Sequence, residues 1–374
     1  MSLDPTAGPF TTSLHDPARV GPLELRNRFV MAPMTREFSP GGIPSERAAS
    51  YYARRARGGV GLIVTEGTVV NHPAAAASAN VPRFHGEQAL ARWKLVVDAV
   101  HAEGGKIVPQ LWHVGLDRNP RTSPTTAPNI GPHVWFGESR AEQRPMTHDE
   151  IEDVVRAFGQ AAVDAETLGF DGVEVHGGHG YLVDQFLWER TNVRTDGYAG
   201  SVAARSRFAA EIVEEIRRRV SPDFPIIFRF SQWKTIDFEA RPYDSPETLE
   251  KALAPIAEAG ADLLHASTRR FWLPEFDDSD LNLAGWAKKV TGLPTITVGS
   301  IGLEGSDFVG ALLAGEGARP ASLTRLEEML CRGDFDLVAL GRAFISDPDL
   351  VTKLGAGNDE ARTPFDAHDL MSLI

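Results

Sequence analysis

The polar side chains best suited to bind a ligand or move a proton lie in one stretch, from Gly169 to Ser201. A short apolar strand, Gly172 to Val175, is followed by HGGHGY and then by a helix with apolar periodicity. His176, His179 and Tyr181 therefore sit where a strand ends. Histidines three residues apart have the spacing of metal ligands, whereas a tyrosine at a helix start caps the helix, packs in the core or transfers a proton. The residue types alone leave these interpretations open.

The rest of the chain predicts a repeated order of strands and helices that would position this loop. The predicted strands run over Phe29 to Pro33, Gly61 to Thr65, Lys106 to Leu111, Gly172 to His176, Ile226 to Ser231, Leu263 to Ala266, Thr295 to Val298 and Leu337 to Leu340. Strands that are apolar on both faces, each followed by a helix, indicate a parallel sheet buried on both sides. Eight such units predict an α/β fold closed into a (β/α)8 TIM barrel, with ligands bound at the carboxyl ends of its strands.

Helical patterns lie between the strands, and no linker divides residues 1–374, so we predict one domain. The predicted helices are Ser45 to Arg57, Glu87 to Ala102, Thr147 to Leu168, Val202 to Val220, Ser245 to Ala259, Leu281 to Val290, Leu323 to Cys331 and one beginning at Asp347. Ser45 and Thr147 are predicted helix caps. Two additions to the barrel are predicted: an N-terminal hairpin within Phe10 to Arg28, and a lid inserted after strand three, at residues 119–144.

Composition excludes several classes of protein. The formal net charge is -13, and no basic stripe is present that would neutralise the phosphates of a nucleic acid. Cys331 is the only cysteine, which excludes an intrachain disulfide, a cysteine-ligated zinc site and an iron–sulfur cluster. No apolar run approaches membrane-spanning length, and no signal-peptide pattern opens the chain. We expect a cytoplasmic protein, either a monomer or a homo-oligomer, that acts on a small molecule without nucleic acid or membrane.

The other predicted strand ends carry neutral donors, one internal arginine and two turns that contain glycine. Gly299-Ser300 and Gly341-Arg342 follow strands seven and eight, where barrels of this class bind phosphate through backbone N–H groups. Arg229 falls inside a strand pattern, so it needs a buried anionic partner. The strand ends show neither an Asp/Glu pair nor a Gly-x-Ser-x-Gly turn, which is odd for a hydrolase. We therefore predict a phosphate-bearing cofactor across the barrel mouth.

Motifs at these strand ends make the chain resemble the Old Yellow Enzyme family of FMN-dependent ene-reductases. The resemblance runs along nearly the whole chain, and its strongest segments are RNRFVMAPMTR (26–36), GLIVTEGT (61–68), PQLWHVG (109–115), the 169–201 stretch and ALGRAFISDPDL (339–350). Several motifs in one order are far more specific than a lone glycine motif. The resemblance implies a tightly but non-covalently bound FMN, with NAD(P)H as its reductant.

The resemblance also implies which residues would hold the cofactor. Thr35 would donate a hydrogen bond to flavin O4, Gln110 would pair with the pyrimidine edge, and Arg229 would place positive charge near N1 and O2. Such charge favours the anionic reduced flavin. Three residues would pass close to the ring through their backbones: Pro33, Met34 and Gly67. Four residues would hold the phosphate: Gly299, Ser300, Gly341 and Arg342.

Substrate contacts follow from the resemblance in the same way. His176 and His179 match the pair that donates hydrogen bonds to a carbonyl or nitro oxygen, and two such donors form an oxyanion-hole device as the oxygen gains negative charge. Tyr181 matches the residue that protonates the α-carbon, and the usual tyrosine pKa of about 10 keeps its proton in place at neutral pH. Trp112 would line the substrate pocket. Trp272 is a candidate for the pocket wall that many relatives build with an aromatic residue elsewhere.

The resemblance implies an oxidoreductase that uses NAD(P)H to reduce activated C=C bonds, as in enones, and related nitro-compounds. Hydride would pass from the flavin to the β-carbon while Tyr181 protonates the α-carbon. Two alternatives remain: a flavin-binding protein without alkene turnover, and a barrel metal-dependent hydrolase that uses His176, His179 and His265. Whether His265 belongs to the pocket or to the core is left open. Larger flavoproteins with this barrel need an iron–sulfur cluster, which a single cysteine cannot hold.

Overall fold

The fold is a closed barrel of eight parallel strands, seen in a computed structural model that describes residues 13–117, 124–133, 143–305 and 315–374. The strands of these residues are β1 (Ala18–Val20), β2 (Leu23–Leu25), β3 (Phe29–Met31), β4 (Leu62–Val69), β5 (Lys106–Trp112), β6 (Asn129–Gly131), β7 (Gln143–Pro145), β8 (Val173–His176), β9 (Ile226–Ser231), β10 (Leu263–Ser267), β11 (Thr295–Val298) and β12 (Leu337–Leu340). The barrel order is β3-β4-β5-β8-β9-β10-β11-β12, and β12 pairs with β3 to close it. The predicted (β/α)8 barrel is confirmed.

Helices cover the outside of the barrel. The α-helices of the described residues are Arg47–Arg57, Glu87–Ala102, His148–Leu168, Leu182–Leu187, Val202–Arg219, Pro246–Glu258, Leu283–Thr291, Thr324–Cys331, Ala343–Ser346 and Leu350–Gly355. Thr147 caps its helix as predicted, in a capping box with Glu150. The predicted Ser45 cap is wrong, because the helix starts at Arg47 and Glu46 takes the cap position. Among these helices, none is long and apolar enough to cross a membrane.

Strands β1 and β2 close the amino-terminal end of the barrel. They pair antiparallel across Gly21, with Val20 opposite Leu23 and Ala18 opposite Leu25. Their buried side chains pack against inward-facing apolar residues of the barrel, namely Val30, Ala32, Leu62, Val64, Val108, Ile227, Leu263, Ile296, Leu337 and Ala339. We call these ten barrel residues, together with the buried side chains of β1 and β2, the apolar plug. The apolar plug excludes water from the amino-terminal end of the barrel.

Inward-facing side chains become polar one step above the apolar plug. Side chains alternate along a strand, so residues two positions apart face the same way. Gln110, Arg229 and His265 each lie two residues after a member of the plug. Glu174 on β8 stands opposite Gln110 on β5 in the strand register. The strand pattern that builds the barrel therefore also directs a polar layer toward its carboxyl-terminal mouth.

Strands β6 and β7 lie in the segment predicted to form a lid. They pair parallel, with Asn129 opposite Gln143, and Met146 N donates to Gly131 O at 2.8 Å. The predicted lid at 119–144 falls largely outside the described residues, since 118–123 and 134–142 are not among them. Its role stays a prediction.

Candidate active site

A cavity of about 510 Å³ opens at the carboxyl ends of the barrel strands. Fourteen of the fifteen predicted site residues line it: Pro33, Met34, Thr35, Gly67, Gln110, Trp112, His176, His179, Tyr181, Arg229, Gly299, Ser300, Gly341 and Arg342. They come from the ends of seven different strands, and the barrel alone brings them together. The exception is Trp272.

The loop after β8 is shaped by close packing and by backbone strain. Gly177 has no room for a side chain, because a Cβ there would lie 2.2 Å from the ring of Phe228. His179 has a φ of +65°, a conformation that costs a non-glycine residue on the order of 1 kcal/mol. Its backbone is held on both sides: its N–H donates to Ser231 Oγ at 2.8 Å, and its carbonyl accepts from Thr235 N at 3.1 Å. The loop after β9 thus fixes the direction of the His179 ring.

A buried ion pair ties the same two loops together. Lys234 Nζ donates to Asp184 Oδ1 at 2.7 Å and to the carbonyl of Ser231 at 3.0 Å. Asp184 Oδ2 accepts from Gly180 N at 2.7 Å. The two side chains are 0% and 1% exposed. Burial raises the pKa of Asp184 and lowers the pKa of Lys234, while the attraction between them opposes both shifts. With these hydrogen bonds satisfied, the pair is held as two charges that clamp the loop.

Both cavity imidazoles are neutral hydrogen-bond donors. Burial, and next the charge of Arg229, hold the pKa of His176 and of His179 well below the usual value. Gly178 N donates to Nδ1 of His176 at 3.3 Å, so the proton of that ring is on Nε2. His179 Nε2 lies 2.8 Å from Ser267 Oγ, which accepts from Arg229 Nη2 at 3.5 Å. The Ser267 proton is then available to Nε2, which leaves the His179 proton on Nδ1.

Tyr181 stands beside these donors with its proton retained. Its ring centroid lies 5.1 Å from that of His176 and 4.9 Å from that of Trp112, both in edge-on contact. Burial, and next the charge of Asp117, raise the pKa of Tyr181 above its usual value. The residue precedes the helix Leu182–Leu187, but its side chain makes no capping hydrogen bond. A capping role is therefore excluded, and the protonated phenol lines the same cavity as the two imidazoles.

The polar layer forms the floor of the site. Glu174 Oε1 accepts from Gln110 Nε2 at 2.8 Å, and Oε2 lies 2.6 Å from His265 Nδ1. Arg229 lies close enough to feel the charge of Glu174, so the anionic partner expected for it is present. Sequence reasoning did not single out Glu174 and left His265 open. The alternation of side chains along β8 and β10 was the signal that could have found both.

The loop after β3, with the predicted residues 33–35, is held by Glu66. Oε2 of this carboxylate accepts from Arg36 N at 2.9 Å and from Glu37 N at 3.0 Å. Burial raises the pKa of Glu66 to about 7. Glu37 has a φ of +59°, so the bonds to Glu66 also hold a strained backbone. From the sequence alone, Glu66 is recognised only as a residue at a strand end, without a role.

The opposite end of the cavity is built from tightly packed turns. A Cβ on Gly299 would lie 2.5 Å from Thr268 Oγ1, so this position allows no side chain. Ser300 has a φ of +50°. Gly341 and Arg342 follow β12 and line the same end. Backbone without side chains beside an arginine suits a phosphate group.

The aromatic wall differs from the predicted one. Trp272 does not line the cavity described above; it borders a separate depression with Ser300. Its carbonyl accepts from Arg325 Nη2 at 2.8 Å. Trp233 and Phe238 line the cavity instead, and Trp233 stacks on His179 at 4.3 Å. From the sequence alone, Trp233 is expected to lie mostly in the core. Its position depends on the loop after β9, which no local pattern predicted.

The residues of the cavity fit FMN at both ends. Arg229 is buried, and its Nε has no hydrogen-bond partner among the described residues, so the floor supplies an unused donor and a cation for an electron-rich ring. Thr35 and Gln110 add hydrogen-bonding groups beside it. The side-chain-free turn at Gly299 and the guanidinium of Arg342 suit a phosphate dianion. An elongated, anionic, partly aromatic molecule matches this set.

Comparison with known proteins gives relatives along most of the chain. The sequence profile of the NADH:flavin oxidoreductase / NADH oxidase family matches residues 13–311. An NADH oxidase of Thermoanaerobacter brockii is 35% identical over 360 residues, which are 92% of this chain and 51% of that protein. The 12-oxophytodienoate reductase 7 of Oryza sativa subsp. japonica is 33% identical over 373 residues, 94% and 91% of the two chains. The chain thus spans about half the length of the first relative and nine-tenths of the second.

Solved structures give the same answer for the fold. Morphinone reductase in complex with tetrahydroNAD superposes with a TM-score of 0.79 at 28% identity, covering 96% of this chain and 94% of that one. An old yellow enzyme homologue from Zymomonas mobilis superposes with a TM-score of 0.76 at 25% identity, covering 92% and 93%. As the strand-end motifs predict, the chain belongs to the NADH:flavin oxidoreductase / NADH oxidase family, the Old Yellow Enzyme family, with FMN as its cofactor.

Proposed function

We propose that this protein is an FMN-dependent reductase that uses NAD(P)H to reduce activated C=C bonds of small molecules, such as enones, and related nitro-compounds. One observation carries the proposal. Two neutral imidazole donors and a protonated phenol face one cavity. The ring centroid of His176 lies 5.0 Å from that of His179 and 5.1 Å from that of Tyr181. A buried cation, Arg229, lies on the floor of the same cavity. This set suits a substrate oxygen that gains negative charge while a carbon gains a proton.

The residues above the floor would bind and polarise the substrate. When bound, FMN would carry a hydride from NAD(P)H to the β-carbon of the alkene. His176 Nε2–H and His179 Nδ1–H would donate hydrogen bonds to the substrate oxygen. Negative charge develops on this oxygen as hydride adds to the β-carbon and displaces the electron pair of the C=C bond toward it. Removal of one donor of this kind commonly costs about 3 kcal/mol of transition-state stabilisation. Thr35, Gln110 and the turns at the far end would hold the cofactor in place.

Tyr181 would supply the second hydrogen. Its Oη–H bond breaks as a C–H bond forms at the α-carbon, and the phenolate regains a proton from water. The balance is one alkene, one NAD(P)H and one proton in, and one saturated product and NAD(P)⁺ out. Because burial raises its pKa, Tyr181 keeps its proton until the substrate has accepted hydride.

The hydrolase alternative lacks a ligand set in the described part of the chain. No group of three or more His, Cys, Asp or Glu residues there is arranged to hold a metal ion. Of the three candidate histidines, His265 has its Nδ1 hydrogen-bonded to Glu174 beneath the cavity.

We also propose a cytoplasmic location, which the lone cysteine supports because a reducing compartment does not favour disulfides.

Flavin colour tests the function directly. The purified holoenzyme should be yellow, should bleach with NAD(P)H without oxygen, and should recover its colour when cyclohexenone is added. Recovery with cyclohexenone separates turnover from mere flavin binding. A colourless preparation that also fails to take up FMN would end the proposal.

The proton step is tested by Tyr181→Phe. We expect cyclohexenone to reoxidise the reduced variant at least about 100-fold more slowly, since a positioned general acid contributes about that much, while bleaching by NAD(P)H survives. Tyr243→Phe is the matched control, because Tyr243 is also a buried tyrosine, 2% exposed, but does not line the cavity. It should leave both half-reactions unchanged. Equal loss of both half-reactions in Tyr181→Phe would contradict the assignment.

A further inference from the structure

The buried carboxylate of Glu174 has no role in the reaction described above. It is 0% exposed and faces three other buried polar side chains, those of Gln110, Arg229 and His265, which are 3%, 6% and 0% exposed. Two of these lie within hydrogen-bond distance, at 2.8 and 2.6 Å. A buried charge is unfavourable unless its neighbours form hydrogen bonds with it and carry an opposite charge.

The first consequence concerns the amide of Gln110. An ionised carboxylate can only accept hydrogen bonds, so the amide must turn its Nε2 to Glu174. The oxygen Oε1 then points away, and it lies 3.4 Å from the place that a Cβ on Gly67 would take, at the cavity wall. Glu174 therefore decides that Gln110 presents an acceptor to the cofactor. An acceptor is what the N–H on the pyrimidine edge of a flavin requires.

The second consequence concerns charge. His265 Nδ1–H donates a hydrogen bond to Glu174, and burial lowers the pKa of His265 below the usual value, so the ring adds no positive charge at neutral pH. Glu174 and Arg229 are then the opposite charges of the polar layer. Negative charge that a cofactor gains on reduction is attracted by Arg229 and repelled by Glu174. The attraction that Arg229 offers is thus partly cancelled from below.

We propose that Glu174 is a positioning residue of the flavin site, which orients the Gln110 amide and offsets the charge of Arg229, so that bound FMN has a lower reduction potential than Arg229 alone would give. The inference rests on the proposed function, since it needs FMN in the cavity. It assigns to the carboxylate two separable effects. One is a hydrogen bond that acts on oxidised and reduced FMN alike, and the other is a charge that acts mainly on reduced FMN.

The variant Glu174→Gln separates the charge from the hydrogen bond. Its Oε1 still accepts from Gln110, and its Nε2 donates to His265 once that ring changes tautomer. We expect oxidised FMN to bind within about threefold of wild type. Reduced FMN should bind about tenfold more tightly relative to oxidised FMN, and the reduction potential should rise accordingly, by about 30 mV for a two-electron couple. Glu174→Met removes the acceptor as well, and should weaken binding of oxidised FMN at least about tenfold.

Glu275→Gln is the matched control for the carboxylate. Glu275 Oε1 accepts from Gln232 Nε2 at 3.0 Å and pairs with Arg241, so it repeats the Glu–Gln hydrogen bond away from the cavity. It should leave the potential unchanged. The potentials are measured by anaerobic titration against a reference dye, and the affinities by quenching of FMN fluorescence.

The outcomes distinguish the proposals from each other. An unchanged or lower potential in Glu174→Gln overturns the charge assignment, as does an equal shift in Glu275→Gln. Unaltered affinity for oxidised FMN in a folded Glu174→Met overturns the positioning of Gln110; if that variant does not fold, the potential of Glu174→Gln still decides. A wild-type chain that binds no FMN would instead refute the proposed function itself.

Discussion

Breaking the buried Asp184–Lys234 pair from either side should destabilise the protein with opposite dependence on pH. In Asp184→Asn the Lys234 ammonium loses a carboxylate oxygen at 2.7 Å and stays fully buried. In Lys234→Met the carboxylate keeps only the bond from Gly180 N. An unpaired charge at this depth is so unfavourable that the group neutralises instead. The cost of that neutralisation sets the size of the effect.

The magnitudes follow from the usual pKa values of the two groups. At about pH 7.5, Lys234 must lose its proton at a pH roughly three units below its usual pKa of 10.5. At about 1.36 kcal/mol for each unit, this deprotonation costs about 4 kcal/mol. Asp184, with a usual pKa of 3.8, must gain one at a cost of about 5 kcal/mol. These are upper values, reached if the stranded group neutralises fully.

The signs of the two pH dependences are opposite. In Asp184→Asn the pKa of Lys234 is lower in the folded than in the unfolded state, so stability returns as the pH rises, and only about 1.4 kcal/mol is missing near pH 9.5. In Lys234→Met the pKa of Asp184 is higher in the folded state, so stability returns as the pH falls, with about 2.3 kcal/mol missing near pH 5.5. The double variant strands no charge and should lose at most about 1.5 kcal/mol at any of these values.

Urea unfolding at a fixed FMN concentration measures these free energies, because bound cofactor contributes to stability by mass action. Asp98→Asn is the control, since the Lys94–Asp98 pair is 47% and 56% exposed and such pairs contribute less than about 1 kcal/mol. Two single variants with the same pH slope would refute the reasoning. So would a loss below about 1 kcal/mol at pH 7.5 in both.

Two further predictions concern the site. Glu66→Gln should be more stable than wild type by about 3 kcal/mol at pH 8 and by about 1 kcal/mol at pH 5.5 in urea titrations. The reason is that the folded pKa of Glu66 is about 7, so the free-energy cost of its buried charge grows as the pH rises from 4.5 to 7, while the amide oxygen of the variant still accepts from Arg36 and Glu37. A stability difference that stays constant with pH would contradict the assignment. Ser267→Ala should slow reoxidation by cyclohexenone about tenfold, the worth of one hydrogen bond to His179, with FMN affinity unchanged; an unaltered rate in stopped-flow mixing would show that Ser267 does not set the tautomer.

Much of the fold could be predicted because strands buried on both faces are nearly continuous apolar runs. Ile226–Ser231, Thr295–Val298 and Leu337–Leu340 match their predicted bounds. β4 was cut short at Thr65, whereas it continues through Val69. The reason is that Glu66 and Gly67 look like the end of a strand, yet the register shifts between Val64 and Gly67 and pairing resumes beyond it. A bulge of this kind leaves no periodic signal.

Site residues on strand ends could be predicted, and those whose partners lie far along the chain could not. His176 and Gln110 belong to local motifs, and the barrel geometry then brings them into one cavity. Asp184 and Lys234 are 50 residues apart, and each alone looks like a solvated surface charge. Trp233 stacks on His179 from the loop after β9, and its local sequence alone predicts a residue of the core.

The charge states around the cavity explain how a strongly acidic chain can serve an anionic cofactor. Burial, and next the charge of Arg229, keep His176 and His179 neutral, since a charged imidazole there would lose its solvation and be repelled by the guanidinium. Neutral imidazoles can donate to a substrate oxygen without giving up a proton, so in the proposed reaction protonation falls to Tyr181. The same cation attracts the negative charge gained by the cofactor on reduction, and Glu174 beneath it sets a limit to that attraction. In the proposed reaction, oxygen polarisation and proton delivery thus belong to different groups, and one buried arginine and the carboxylate under it set the charge around the cofactor.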